Sequence, residues 1–203
     1  DYIHFSTNPK SSLTEIIAEI KPDKTAILVD ENTKKYCLPL VSSVAVDITI
    51  EIQSGEKNKT LDTCQIIWEQ LTRAGFSRKS LLINLGGGVI GDMGGFCAST
   101  FKRGIKFLNI PTTLLAAVDA NTGGKLGIDF MGFKNHIGVF NNPEAVIISP
   151  VFLDTLPLRE LRSGFAEVIK HGLISSSSYW EMLIDNEFPH FDWLKVIEHS
   201  VGI

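Results

Sequence analysis

The strongest constraint on the fold is the stretch LLINLGGGVIGDMGGF, which covers residues 81–96. An apolar run ends at Leu85, and glycines dominate the residues that follow it. This pattern predicts a buried strand that turns sharply into a helix. Gly86, Gly88 and Gly91 give the spacing G-x-G-x-x-G, in which missing side chains would let a phosphate reach backbone N–H groups at the helix start. A tight, closely packed turn that binds nothing fits the same spacing.

Apolar strands and helical patterns alternate up to Pro150. Helices are predicted at residues 12–22, with Ser12 as its cap, and at 60–76. Strands are predicted at residues 25–32, 44–52, 80–85, 105–111 and 144–149. Strands that are apolar on both faces indicate a parallel sheet with helices on each side.

After Pro150 only helical patterns occur, so we expect a domain boundary near Pro157. The predicted fold is an α/β domain with a variant Rossmann-like, mostly parallel sheet at residues 1–156. The beginning of an all-helical domain is predicted at residues 157–203. These residues are too few to bury the core that an independently stable domain needs.

Composition excludes several classes of protein. The chain carries 19 Lys and Arg against 23 Asp and Glu, and this balance argues against a general nucleic-acid binder. Its three cysteines form no C-x-x-C pair, which favours a reduced, cytoplasmic setting over a disulfide framework or a zinc–thiolate site. No apolar run reaches the ~18 residues that a membrane span needs, and we expect no membrane partner.

The middle of the chain predicts an anion site. Arg103, Asp119, Lys125, Lys134 and Asn135 lie among glycines and apolar residues. Lysine offers a compact charge to a phosphate, and asparagine adds neutral hydrogen bonds. The alternative is that these lysines are ordinary solvated loop residues.

Several motifs together resemble the 3-dehydroquinate synthase family, within the wider group of sugar-phosphate cyclases. They occur in the order and at about the spacing of that family, and they cover most of the chain: SGEKNKT, GGGVIGDMGGF, FKRG, IPTTLLAAVDANTGGKLGID, GFKNHIG and SGFAEVIKHGLI. The resemblance implies an enzyme of the shikimate pathway that converts 3-deoxy-D-arabino-heptulosonate 7-phosphate to 3-dehydroquinate and phosphate. It implies transient oxidation by NAD, phosphate elimination, re-reduction and an internal aldol closure, with a divalent metal, zinc or cobalt.

The resemblance also implies roles for individual residues. The set implied for NAD is Asp30, Asn32, Glu56, Lys59, Gly87, Gly88, Asp92, Thr112, Thr113, Lys125, Lys134 and Thr155. The set implied for the substrate is Asp119, Lys125, Asn135 and Lys170, with Arg103 reaching a phosphate in the neighbouring subunit of a homodimer. Asp119, Lys170 and Glu167 are implied to be catalytic, and Glu167 to bind the metal.

The chain also departs from the family pattern. Two metal-binding histidines and the groups that bind the substrate carboxylate, all expected further along the family's sequence, have no counterpart here. We therefore expect a fragment that binds NAD weakly and does not turn over. His171, four residues after Glu167, is on the same helix face but is not expected to bind the metal. Other hypotheses are another sugar-phosphate cyclase such as 2-deoxy-scyllo-inosose synthase, a polyol dehydrogenase of the iron-containing group, or a non-catalytic NAD-binding fragment.

Overall fold

The computed structural model describes residues 2–42, 44–120 and 123–203. Residues 121 and 122, inside one of the motifs quoted above, lie outside the described residues. The strands are β1 (Ile3–Phe5), β2 (Thr25–Asp30), β3 (Ile48–Ile52), β4 (Leu81–Gly86), β5 (Lys106–Pro111), β6 (Lys125–Phe130), β7 (Phe133–Phe140) and β8 (Ala145–Ile148). The helices are α1 (Pro9–Ile20), α2 (Glu31–Tyr36), α3 (Leu61–Arg73), α4 (Gly88–Thr100), α5 (Leu158–Ile174), α6 (Ser177–Ile184) and α7 (Trp193–Val201).

Six strands form one parallel sheet in the order β1-β8-β5-β4-β2-β3. The predicted α/β class and parallel sheet are therefore confirmed. Helix α1 covers one face through Leu13 and Ile16, while α3 and α4 cover the other. Both faces of the central strands are buried, which explains why these strands read as continuous apolar runs.

Two predicted starts were wrong. Helix α1 begins at Pro9, and its cap is Asn8, whose side chain accepts a hydrogen bond from the Ser11 N–H at 3.3 Å. Proline suits the first turn of a helix because its missing N–H has no partner there. Strand β3 begins only at Ile48, although the apolar alternation starts earlier.

The sequence reading missed the antiparallel hairpin of β6 and β7. Gly127 and Gly138 face each other across it, and glycine within a strand weakens the strand pattern. A Cβ at residue 138 would lie 2.2 Å from the Leu126 carbonyl oxygen, so the strands approach closely only because these side chains are absent. Leu126 and Ile128 anchor the hairpin in the same core as α3 and α4.

Helix α4 lies tightly against the sheet. A Cβ at Gly94 would lie 2.1 Å from Asn84 Oδ1, and a Cβ at Gly95 would lie 2.5 Å from a Leu126 methyl carbon. Asn84 is buried and donates to Asn109 Oδ1 on the neighbouring strand at 2.9 Å. The glycines after the first turn therefore let α4 approach the sheet, and this contact fixes the place of its first residues.

Every regular element in the described residues after 157 is a helix, as predicted. Helices α5–α7 share a buried core with β8 and with the π-helical turn Ala116–Ala120. A Cβ at Gly164 would lie 2.5 Å from the Leu115 nitrogen, so α5 lies directly on this turn. None of the helices in the described ranges has the length and apolarity that crossing a bilayer requires.

Candidate functional site

The main cleft opens at the carboxyl edge of the parallel sheet, between the ends of β2 and β4. The chain leaves β2 for β3 on one side and leaves β4 for β5 on the other, so neighbouring connections diverge here. Such a switch point is where open α/β sheets bind ligands. The main cleft has a volume of about 970 Å³, at the upper end of the range of about 300–1,000 Å³ typical of ligand sites.

The glycine turn forms the centre of this cleft. Gly87 caps α4, and no side chain of the described residues caps the helix start. A Cβ at Gly86 would lie 2.5 Å from Ile90, and a Cβ at Gly87 would lie 3.1 Å from the Thr113 methyl carbon. Both glycines thus let neighbouring side chains lie close to the turn. Because no side chain of the described residues caps α4, a phosphate could accept hydrogen bonds from its first N–H groups.

The main cleft brings together every residue of the implied NAD set except Lys125. These residues are Asp30, Asn32, Glu56, Lys59, Gly87, Gly88, Asp92, Thr112, Thr113, Lys134 and Thr155. They come from the carboxyl ends of β2, β3, β4, β5 and β8 or the segments that follow them, and from the start of β7, which are far apart in the sequence. Their convergence on one cavity was not required by any local pattern.

Asp30 serves first as the cap of a helix. Its Oδ1 accepts from the Asn32 and Thr33 N–H groups at 2.9 and 2.8 Å. The Thr33 hydroxyl in turn accepts from the Asp30 N–H at 2.9 Å, which completes a capping box. This arrangement fixes the carboxylate at the mouth of the cleft. Nearby, burial raises the pKa of the Cys37 thiol to about 11, against a smaller lowering from its hydrogen bond with Thr112.

Lys59, Asp92 and Asn135 form what we call the floor of the cleft. Lys59 Nζ lies 2.6 Å from Asp92 Oδ2 and 2.5 Å from Asn135 Oδ1. The Lys59 side chain is 3% exposed and that of Asp92 is 18% exposed. Burial raises the pKa of the Asp92 carboxyl, and the contacts with Lys59 oppose this shift. Lys59 and Asp92 are therefore a largely buried ion pair in which each charge has a partner of opposite sign.

Glu56 and Lys134 form what we call the rim. Lys134 Nζ lies 3.1 Å from Glu56 Oε1, and the two side chains are 74% and 41% exposed. An exposed pair of this kind contributes only ~0–1 kcal/mol and yields readily to a ligand. The rim can therefore open without much cost to the fold.

A second cavity, which we call the hairpin cavity, adjoins the floor. Its volume is about 640 Å³, and Asp119, Lys125, Asn135 and Asp92 line it together with the hairpin. Lys125, implied for both the cofactor and the substrate, lies here and not in the main cleft. Asp92 and Asn135 border both cavities, so they form the partition between them.

Glu167 and Lys170 lie on the helix that packs on the Asp119 turn. Glu167 Oε1 lies 2.5 Å from Lys170 Nζ and 3.4 Å from His171 Nε2. Glu167 raises the pKa of Lys170, and the Asp119 carboxylate adds to this effect, which places all three groups in one electrostatic neighbourhood. Among the described residues, no three His, Cys, Asp or Glu side chains come close enough to hold a metal ion.

Arg103 lies away from both cavities of its own chain. It follows the last turn of α4, and thirteen helical residues separate it from the glycine turn. A helix of that length spans about 20 Å. Arg103 is exposed, with a positive φ of 70° in a turn that ends at Gly104. The structure does not bring Arg103 to either cavity within one chain.

Sequence reasoning missed several residues that line the main cleft. Tyr36, Cys37, Ser54, Glu160 and Ser163 all border it. The first three follow the β2 and β3 strand ends, so the rule that sites gather at carboxyl edges could have indicated them. Glu160 and Ser163 enter from the first turns of α5, and no local pattern pointed to them.

Comparison with known proteins agrees with this architecture. The family model "3-dehydroquinate synthase N-terminal" matches residues 49–163. A 3-dehydroquinate synthase from Parabacteroides distasonis is 46% identical over 96% of this chain and 57% of its own length. The chain thus spans somewhat more than half the length of this curated relative.

Two solved structures have a fold similar to that of this chain. The 2-epi-5-epi-valiolone synthase from Streptomyces hygroscopicus, with NAD⁺ and Zn²⁺ bound, matches with a TM-score of 0.86 and 24% identity, over 98% of this chain and 59% of that one. A 2-deoxy-scyllo-inosose synthase complexed with carbaglucose-6-phosphate, NAD⁺ and Co²⁺ matches with a TM-score of 0.83 and 24% identity, over 98% and 57%. With the family model matching more than half of its residues, the chain belongs to the 3-dehydroquinate synthase family.

Proposed function

We propose that this chain supplies the NAD-binding part of a cytoplasmic 3-dehydroquinate synthase. The reaction converts 3-deoxy-D-arabino-heptulosonate 7-phosphate to 3-dehydroquinate and phosphate. The observation that carries the proposal is the main cleft, where the residues implied for NAD converge on a glycine turn. Three free, buried cysteines agree with a reducing compartment.

The residues of the main cleft fit NAD. The space beside Gly87 would be filled by a Cβ, and the volume suits a dinucleotide. Gly87 and Gly88 would hold the pyrophosphate on the α4 N–H groups, and Asp30 would face a ribose hydroxyl. NAD supplies a reversible hydride acceptor, so that an alcohol next to the leaving phosphate can be oxidised and later restored. Asp92 and Lys59, at the floor of the main cleft, would close the end of the NAD site.

The hairpin cavity would take the phosphorylated substrate. Lys125 and the Asn135 amide can donate hydrogen bonds to phosphate oxygens, and Asp119 can accept from substrate hydroxyls. Lys170, held by Glu167, would bind the substrate beside them. We further propose a homodimer in which Arg103 reaches the partner's substrate phosphate, because it lines neither cavity of its own chain.

A divalent metal fits the described residues less well. Glu167 offers one carboxylate, whereas a tetrahedral site needs about three protein ligands. The described residues hold no group of three such ligands. We propose Glu167 as one ligand and assign no chemical step to the metal.

Calorimetric titration with NAD tests the proposal. Gly87→Val keeps an allowed backbone, since φ is −75°, but places a side chain in the cradle. We expect NAD affinity to fall at least about tenfold, which corresponds to the loss of ~1.4 kcal/mol of phosphate contacts. Gly123→Ala is the matched control, because among the described residues a Cβ there meets only Lys125 atoms, at 3.9 Å. The absence of NAD binding by the unmodified chain, or equal affinity in the valine variant, would contradict the proposed site.

A further inference from the structure

We propose that Lys59 is a positioning residue that sets the orientation of the Asn135 amide, so that its NH₂ group faces an anion in the hairpin cavity. The inference rests on the proposed function in one respect: it takes the hairpin cavity as the site of the substrate phosphate. It adds a role for Lys59 toward the substrate side, which is separate from its implied contact with NAD.

The contact between Lys59 and Asn135 defines which way the amide points. Lys59 Nζ lies 2.5 Å from the amide group, and an ammonium has donors only. The atom that faces it must therefore be the oxygen, Oδ1. The NH₂ group then lies on the opposite branch of the amide, directed away from the buried lysine.

That opposite branch is open to a ligand. Asn135 is an exposed residue although its Oδ1 contacts a buried ammonium, and it borders the hairpin cavity as well as the main cleft. In the described part of the chain, no acceptor contacts its NH₂ group. The two donors of this NH₂ group belong to a residue that lines the hairpin cavity together with Lys125, and amide and ammonium donors together are the chemistry that a phosphate dianion recognises.

Without the ammonium, the amide would turn the other way. Asp92 Oδ2 contacts the same nitrogen of Lys59, so the carboxylate is a near neighbour of the amide. A carboxylate accepts hydrogen bonds and would attract the NH₂ group inward, and the terminal torsion of asparagine has a broad, nearly two-fold energy profile. Lys59 therefore selects between two orientations that differ in what they offer the hairpin cavity.

The backbone of Asn135 is fixed independently of the lysine side chain. Its N–H donates to Asp129 Oδ1 at 2.8 Å, and the Asp129 N–H donates to the Lys59 carbonyl oxygen at 2.9 Å. A change of the Lys59 side chain leaves these bonds in place. Asn135 itself has a φ of 51°, which asparagine tolerates better than most residues, so the lysine is the better place for a substitution.

The test is an NMR titration of the chain with inorganic phosphate, following the Asn135 side-chain NH₂ signals at saturation. Lys59→Met removes the donors at similar volume, and Lys59→Arg retains them. We expect the Asn135 NH₂ signals to shift with phosphate in the unmodified chain and in the arginine variant, and to stay unchanged in the methionine variant. Phosphate affinity of the methionine variant should fall about tenfold, the effect of one lost hydrogen bond to a charged group.

Lys106→Met controls for the loss of one positive charge, since this exposed lysine at the start of β5 has its ion pair with Glu144 and lines neither cavity. We expect a smaller loss of phosphate affinity and an unchanged NH₂ response. If the methionine variant at Lys59 keeps the Asn135 response while backbone signals of the hairpin shift with phosphate, the positioning role is refuted and the anion site stands. If phosphate shifts no hairpin signal in the unmodified chain, both the positioning role and the substrate site fail, whereas NAD binding is judged separately.

Discussion

The floor and the rim of the main cleft each hold a lysine–carboxylate pair, but at different depths. At the floor, Lys59 is 3% exposed and bonded to two neighbours, whereas at the rim Lys134 is 74% exposed. The same two chemical groups thus form a fixed partition in one place and an adjustable edge in the other. Burial, rather than the type of residue, decides which part of a binding site is rigid.

This contrast has an energetic basis. A buried charge that loses its partner keeps its cost of desolvation, while an exposed charge regains water. Asp92 is carried by α4, which in turn depends on glycines for its close approach to the sheet. The loss of stability should therefore be largest for a variant in the support of α4, smaller for one at the floor and smallest for one at the rim.

The largest expected effect is at the support of the floor. Gly94→Ala would place a Cβ 2.1 Å from Asn84 Oδ1 and 2.8 Å from a Leu28 methyl carbon, both in the buried core. We expect the free energy of unfolding in urea to fall by about 3 kcal/mol, at the upper end of the usual cost of overpacking. Gly123→Ala, at an exposed residue whose Cβ would make only an ordinary contact with Lys125 among the described residues, should change it by less than about 0.5 kcal/mol. Equal stability of the two variants would mean that α4 is free to move outward.

A smaller effect should separate the floor from the rim. Lys59→Met leaves Asp92 buried without its cation, and we expect a loss of about 2 kcal/mol, less than for a fully buried pair because Asp92 is partly exposed. Lys134→Met should cost less than about 1 kcal/mol. Urea unfolding of both variants gives the comparison, and similar losses at the two sites would contradict the role of depth.

The smallest effect is the dependence of stability on pH. Because burial raises the pKa of Asp92 in the folded chain above its ordinary value of 3.8, the folded state holds this proton more tightly than the unfolded state. The contribution of Asp92 to stability is thus fullest below that ordinary value and declines as pH rises through the raised pKa. The free energy of unfolding should be measured for the unmodified chain and for Asp92→Asn from below pH 3.8 upwards. As pH rises, the unmodified chain should lose stability relative to the variant. A difference that grows in the opposite direction would contradict the raised pKa.

Much of the sheet could be predicted because β2, β4, β5 and β8 are buried on both faces and read as apolar runs. The β6–β7 hairpin could not, since Gly127 and Gly138 interrupt its pattern and one of its faces is exposed. Strand β1 has only three residues, too short to show a period.

The candidate site, like the sheet, could be predicted only in part. Motif resemblance named the residues of the main cleft, and the structure brings them together. It implied Lys125 for both NAD and the substrate, whereas the fold puts this residue in the hairpin cavity and not in the main cleft. Arg103, implied for a neighbouring subunit, lies beyond the end of α4. Nor did it indicate that Lys59 contacts Asn135, because a bond between residues 76 places apart leaves no trace in local spacing.

That separation has a consequence during synthesis of the protein. A nascent chain that has emerged only as far as β5 already contains the glycine turn and Lys59, but lacks both Asp129 and Asn135. Until the hairpin leaves the ribosome, Lys59 therefore lacks its contact with Asn135, and the wall between the two cavities is incomplete. Ligand competence should therefore arise only once residues 125–140 have emerged, after β2, β4 and β5 are already available to pair.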